Sequence, residues 1–226
     1  MFSLKMKLKE WILYEMPLHE IIVNASIQDG SDSFLKHMLG IDARCKYYNL
    51  LKLFENVNEN KNINGKLYCN AFCINTDLKR RGRWGKNEQP IRRETILKTI
   101  ENNGYKRTSS GDNFFGDLMQ SRFVFSPEGN GIDCHRHYES IIFKGIPILE
   151  DNSLIMEKYE GLPVLYTHDY SEINDEYLNN KYNEMLEETY DFGKLFFNYY
   201  DEETKKEIIE NSNYWVNKWS DIAGRD

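Results

Sequence analysis

The sequence has little cysteine, no long apolar run and no excess of basic charge, and each shortage excludes a class of protein. The four cysteines, Cys45, Cys69, Cys73 and Cys134, are irregularly spaced, which suits a reducing compartment and argues against a disulfide framework. Cys69 and Cys73 fall in one expected strand, on the same face, and lack the spacing of a zinc site. No stretch approaches the roughly 20 apolar residues that would span a bilayer. The opening "MFSLKMKLKEWILYEMPLHE" alternates charged with apolar side chains and never reaches the run of about seven apolar residues that a signal peptide needs. A soluble, cytoplasmic protein with no membrane span is the expectation. A net charge of −7 disfavours a surface that grips nucleic acid, since such surfaces are basic over a broad face.

What is present is an ordinary globular balance: 40% hydrophobic and 14% aromatic residues against 29% charged. A chain of 226 residues suits one large domain, or one domain with a small appendage. Such a chain buries roughly 70% of its unfolded surface. "HEIIVNASIQDG" reads as a short buried strand ending in an Asp-Gly turn, and "SFLKHMLGIDARCKYYNLLKLFENV" as a helix broken near Gly40. The polar "NENKNING" separates this part from the rest. We therefore expect a small N-terminal subdomain over residues 1–65 and a second unit over 66–226.

From "KLYCNAFCI" onward, short apolar strands alternate with amphipathic helices. A strand there is followed by a helix from about Pro90 to Asn102, an extended piece at "YKRTSS" and a helix in "DNFFGDLMQS". The series continues through "RFVFS", a helix from near Asp133, "IPIL", "LPVLYT", and a helix with Leu178, Tyr182, Met185, Leu186 and Thr189 on one face. A last helix would bring Trp215 and Trp219 together. This alternation predicts an α/β fold, a Rossmann-like parallel sheet with helices on both faces.

Ligands of open α/β sheets sit beyond the carboxyl ends of the strands, where "SPEGNG" follows the strand "RFVF". Gly129 and Gly131 allow φ > 0 and a close approach of backbone to ligand, and the next helix offers free N–H groups to an anion. The same turn can be only a tight connection. His135 and Glu139 lie four apart on one helix face beside Arg136. From a helix start at Asp133, Glu139 stands roughly 9 Å along the axis, a fitting offset for a diphosphate at the helix start and a carboxylate on a ribose. The alternative is an Arg136–Glu139 surface ion pair. A second cluster, "NTDLKRRGRWGKNEQPIRRE", carries Arg80, Arg81, Arg83, Arg92 and Arg93. Arg92 and Arg93 at a helix N-terminus oppose its dipole, so an anion is expected there, either a diphosphate or Glu94.

The stretch "SRFVFSPEGNGIDCHRHYESIIFKGIPILEDN" followed by "GLPVLYTHDYSEI" resembles the exostosin-like glycosyltransferases. The features shared are a strand ending in Ser-Pro-x-Gly, a Gly-rich turn, an Arg before an aromatic-Glu pair, "GIPI", and an "LPV" strand followed by an Asp-containing turn. More loosely, "CINTDLKRR…IRRETIL" extends the likeness. The resemblance implies a GT-B type enzyme with a reduced N-terminal acceptor side and a carboxy-terminal half that binds a nucleotide sugar, commonly a UDP-sugar. It implies sugar transfer to a glycan hydroxyl, with inversion, without a metal or other cofactor. By the same resemblance Glu139 binds the nucleotide ribose, Ser126, Gly129, Asn130 and Gly131 line the diphosphate, and Arg136 matches the motif arginine. His135, on the face of Glu139, is a donor-side candidate beside them, and the arginine loop supplies Arg80, Arg81, Arg83 and Arg92 as candidates to neutralise the diphosphate. Topology makes Asp29 the candidate base, with Asp32 and His19 as rivals; each can also be structural, since a turn Asp is usually a cap. A non-catalytic nucleotide- or glycan-binding module acting beside a catalytic partner remains the second expectation.

Overall fold

The computed structural model describes residues 3–14, 65–77, 92–108, 114–129 and 131–207. The expected strand at "IIV", the following helix, the linker, Asp29, Asp32, His19 and both Trp215 and Trp219 lie outside these residues. The chain begins with strand β1 (Lys5–Lys7) and helix α1 (Leu8–Leu13). It resumes with β2 (Lys66–Cys69), α2 (Arg93–Asn102), α3 (Phe114–Met119), β3 (Ser121–Phe125) and α4 (His135–Ile142). Then come β4 (Ile146–Glu150), α5 (Ser153–Lys158), β5 (Leu165–Thr167), α6 (Asp175–Glu187) and β6 (Thr189–Asp191).

Strands β2, β3, β4 and β5 form a parallel sheet in that order. The central strands "SRFVF" and "IPILE" are nearly continuous apolar runs because both of their faces are covered, as parallel sheets require. Alternation along β3 puts Phe123 and Phe125 on one face, where they meet Tyr182 of α6 at 6.0 Å and Tyr105 at 5.4 Å between ring centroids. Ser126, on the opposite face, meets His137 of α4. The expected parallel sheet flanked by helices is therefore present. The described strands follow sequence order without reversal, so no topological switch point falls among them.

Several boundaries differ from the sequence pattern. β2 ends at Cys69, which is buried, whereas Cys73 lies beyond the strand and is exposed, so the two do not share a face. Helix α4 starts at His135 and not near Asp133, because Cys134 is extended and takes the N-cap position. Leu178, Tyr182 and Met185 are the buried stripe of α6, but Thr189 has left the helix and pairs with Lys7 in an antiparallel β1–β6 ladder.

That ladder ties the first residues to the later ones. Segment 3–14 shares the core of residues 66–207. Leu8, Trp11 and Ile12 fall on one side of α1 and are buried. The Trp11 ring stacks on Phe192 at 4.1 Å, and its indole N–H donates to the Ile141 carbonyl at 3.1 Å. The Lys144 ammonium stands over the same ring, 3.5 Å from its centroid. Lys144 is the left-handed residue, φ 71°, that closes α4: its amide donates to Ile141 O at 3.0 Å and that of Gly145 to Ser140 O at 2.8 Å. Glycine is usual at this helix-ending position. Keeping a side chain there costs about 1 kcal/mol, which the cation–π contact offsets. Among the described residues no helix is long and apolar enough to cross a membrane.

Trp11→Ala is expected to lower the unfolding free energy by about 3–5 kcal/mol, read from urea denaturation. A loss below about 1 kcal/mol would show that this segment is peripheral to the core.

Candidate functional site

The loops at the carboxyl ends of β2 and β3 meet around Arg93, the first residue of α2. Its guanidinium is buried and donates to four oxygens from two loops. Nε reaches Glu128 O at 2.8 Å, Nη2 reaches Pro127 O at 2.5 Å, and Nη1 reaches both Cys73 O at 2.8 Å and Thr76 Oγ1 at 2.6 Å. Its backbone N–H donates to Asp77 Oδ2 at 2.7 Å. The Phe72 ring lies under the guanidinium, 5.6 Å away. A buried cation is tolerated when its donors are satisfied in this way.

This arrangement changes the meaning of the turn after β3. Its carbonyls hold a cation, and its amides are already used: Ser126 N donates to Ile148 O at 3.1 Å, Glu128 N to Glu150 Oε2 at 2.9 Å, and Gly129 N to Gly131 O at 3.0 Å. Residue 127 is proline and has no N–H. The freedom of Gly129 to take φ > 0 is not used, since the positive-φ glycines among the described residues are Gly104 and Gly161. A Cβ on Gly129 would stand 2.9 Å from Arg93 Nη2. Glycine is needed here because a side chain of the protein itself presses on the backbone. Asn130 lies outside the described residues, and Gly131 is exposed.

Ser126 is likewise not open to a ligand. It is fully buried, and its hydroxyl meets His137 Nδ1 at 2.8 Å, while Nε2 of the same ring faces Ile132 O at 3.3 Å. Burial depresses the His137 pKa to about 4, so the ring is neutral at physiological pH. The tautomer that satisfies both contacts carries its proton on Nε2 and accepts from Ser126. His137, which sequence reasoning passed over for His135, thus locks α4 to the end of β3. The only signal for it was a polar residue on the buried side of the helix.

The rest of the edge is acidic and internally paired. Glu128 Oε1 accepts from Asn152 at 3.0 Å, and Glu150 Oε2 also accepts from the Tyr170 hydroxyl at 3.3 Å. His168 Nδ1 meets Asp151 Oδ2 at 2.9 Å, and Asp169 caps the turn that follows β5 through Ser171 N at 2.8 Å. Carboxylates along the ends of β4 and β5 repel a phosphate, so an anion is better accommodated on the β2 side of α4.

That side carries the start of α4, Arg136 and Glu139. Helix α4 has no side-chain cap: Cys134 contributes none, and the Asp133 carboxylate turns to Tyr159 OH at 2.7 Å and to the Lys158 ammonium. Arg136 reaches back to Ala71 O at 3.4 Å and lies over Phe114 at 4.9 Å, leaving its Nε buried without an acceptor. One turn on, Glu139 is only 7% exposed, with no hydrogen bond to its carboxylate among the described residues. The Arg136–Glu139 ion pair does not close; the cation acts on Glu139 only through its field, and desolvation raises the carboxyl pKa from 4.5 to about 7. With the helix starting at His135, Glu139 stands about 6 Å along the axis, nearer the helix start than the sequence pattern implied. Of the arginine loop, Arg92 is described, exposed at the N-cap of α2, whereas Arg80, Arg81 and Arg83 lie outside the described residues. Glu94 is drawn to Lys98 at 2.9 Å.

Compared with the models of known protein families this chain matches none, and no curated protein matches it.

Two outcomes test this geometry. Between pH 4.5 and about 7 the folded chain keeps a proton on Glu139 that the unfolded chain has released, so stability falls as pH rises through that window. The gap corresponds to about 3 kcal/mol, so Glu139→Gln should raise the unfolding free energy by up to that amount near pH 8 and by little near pH 4.5. An equal gain at both pH values would contradict the assignment. Gly129→Ala should cost about 1–3 kcal/mol. Combined with Arg93→Lys it should cost less than the sum of the two, whereas strict additivity in denaturant melts would separate the residues.

Proposed function

We propose that the chain is a glycosyltransferase that moves a sugar from a nucleotide sugar, a UDP-sugar foremost, to a hydroxyl of a glycan acceptor with inversion. The observation that carries this reading is Glu139, a buried carboxylate with no donor among the described residues, on the helix that opens at the carboxyl edge of the parallel sheet. A vicinal diol supplies the two hydroxyl donors such a group lacks, and the orphaned Nε of Arg136 can return a hydrogen bond to one of them. The uncapped start of α4 offers backbone N–H groups and a partial positive charge to the diphosphate. The likeness to exostosin-like transferases of the GT-B type rests on the same helix.

In this reading the acceptor oxygen attacks the anomeric carbon as the bond to the diphosphate breaks, and a base removes the acceptor proton. Asp29, with Asp32 and His19 as rivals, is proposed as that base. Arg92 and the arginines of the preceding loop neutralise the leaving diphosphate. Gly131 and His135 belong to the same approach to α4, whereas Ser126 and Gly129 support it from beneath. A second reading, a nucleotide- or glycan-binding module without turnover, is favoured by one observation: the turn after β3 has its amides committed to protein, leaving fewer donors for a leaving group.

Saturating UDP or GDP should raise the melting temperature by several degrees, as binding at about 100 times Kd adds about 2.7 kcal/mol. No shift with either nucleotide overturns the glycosyltransferase reading, and a shift without sugar release or transfer from UDP- or GDP-sugars selects the second.

A further inference from the structure

We propose that the protein binds the ribose diol of its ligand in exchange for a proton, released from the Glu139 carboxyl when the diol's hydroxyls donate to it. The inference rests on the nucleotide-sugar reading above and adds how that site responds to pH.

The argument begins with what surrounds the carboxyl. Glu139 is more than nine-tenths buried and accepts from no described residue, so ionising it in the free protein leaves a desolvated charge with no hydrogen-bond donor among the described residues. On its own helix, Arg136 is the charged group whose field reaches it, but that guanidinium is held on Ala71 O and the Phe114 ring. From the neighbouring elements, Lys66 of β2 and Asp117 of α3 pair with each other at 2.8 Å. The Cys69 thiol of β2 is kept uncharged by burial. Asp133, before the helix, is taken up by Lys158 and Tyr159. None of these supplies a donor to Glu139. Below about pH 7 the carboxyl therefore rests largely in its neutral form until donors arrive with a ligand.

A ribose diol brings two O–H donors and no charge. When both hydroxyls donate, the ionised carboxylate gains the hydrogen bonds that water would have given, and its proton affinity falls. The exchange balances as a neutral carboxyl plus ligand giving a carboxylate–ligand complex plus one proton in solvent. The ligand's hydroxyl protons stay in place. The unpaired Nε of Arg136, one helical turn away, favours the same ionised state.

The test is calorimetric titration of UDP-glucose, GDP-mannose and dTDP-glucose in buffers of different ionisation enthalpy. Nucleotide sugars are chosen because their diphosphates are diesterified and do not titrate near neutrality. At about pH 6, UDP-glucose or GDP-mannose should release close to one proton per molecule bound. At about pH 8.5 release should be near zero, with affinity weakening about tenfold per pH unit below neutrality. dTDP-glucose, which lacks the 2′-hydroxyl, should bind more weakly and release less. Glu139→Gln should bind with no proton release and no pH dependence. If the ribose sugars bind with the same heat in every buffer at about pH 6, the proposal fails and the nucleotide-sugar reading stands. If none of the three binds at either pH, the reading and the proposal both fail.

Discussion

The carboxyl edge of this sheet depends on one buried cation. Arg93 sits at the start of α2, yet the oxygens it holds belong to the loop after β2 and the turn after β3. Removing a guanidinium from water is tolerable only when its N–H groups find acceptors, so burial of Arg93 dictates the path of both loops at once. Gly129 must lack a side chain because the guanidinium lies against it, and Cys134, just before α4, packs on the same group. The start of α4 is thereby set by a residue some 40 positions earlier in the chain.

This anchoring sorts the charges around the site. Carbonyls of the turn point inward to Arg93, its amides bond to β4 and to Gly131, and the carboxylates Asp151 and Asp169 beyond β4 and β5 are held by His168 and by the Ser171 amide. On the β2 side of α4 an uncapped helix start, one unpaired arginine nitrogen and one largely buried carboxyl stand within about one helical turn of each other. Such groups weaken the free protein. Their coming together at the carboxyl edge of the sheet is the reason to see a ligand's complement in them.

Much of the framework was legible. The alternation of "RFVF", "IPIL" and "LPVLYT" with amphipathic segments is a local pattern, and β3, β4, β5 and α6 stand where it put them. Glu139 was also legible as a candidate, through its place after a glycine turn on the first helix beyond β3. The roles of Ser126, His137 and Arg93 were not. A serine at the end of a strand looks the same whether it faces a ligand or a histidine of the next helix, and two adjacent arginines give no sign that Arg92 stays in water while Arg93 is buried. Trp11 was passed over because six residues of helix carry too little periodicity to show that their apolar side has a partner near residue 192.

By itself, then, the sequence determined the class of structure, a parallel sheet with covering helices, because side-chain periodicity of two or about 3.6 residues is set by backbone geometry. It also drew the candidate donor site to the loops beyond β2 and β3 and to the helix that follows β3. Only the tertiary structure decided which of those polar residues is spent on the fold and which is left for a ligand. The physical reason is that hydrogen-bond satisfaction is settled between distant segments: Arg93 by carbonyls around residues 73 and 127, Ser126 by His137, and Glu139 by the absence of any described donor.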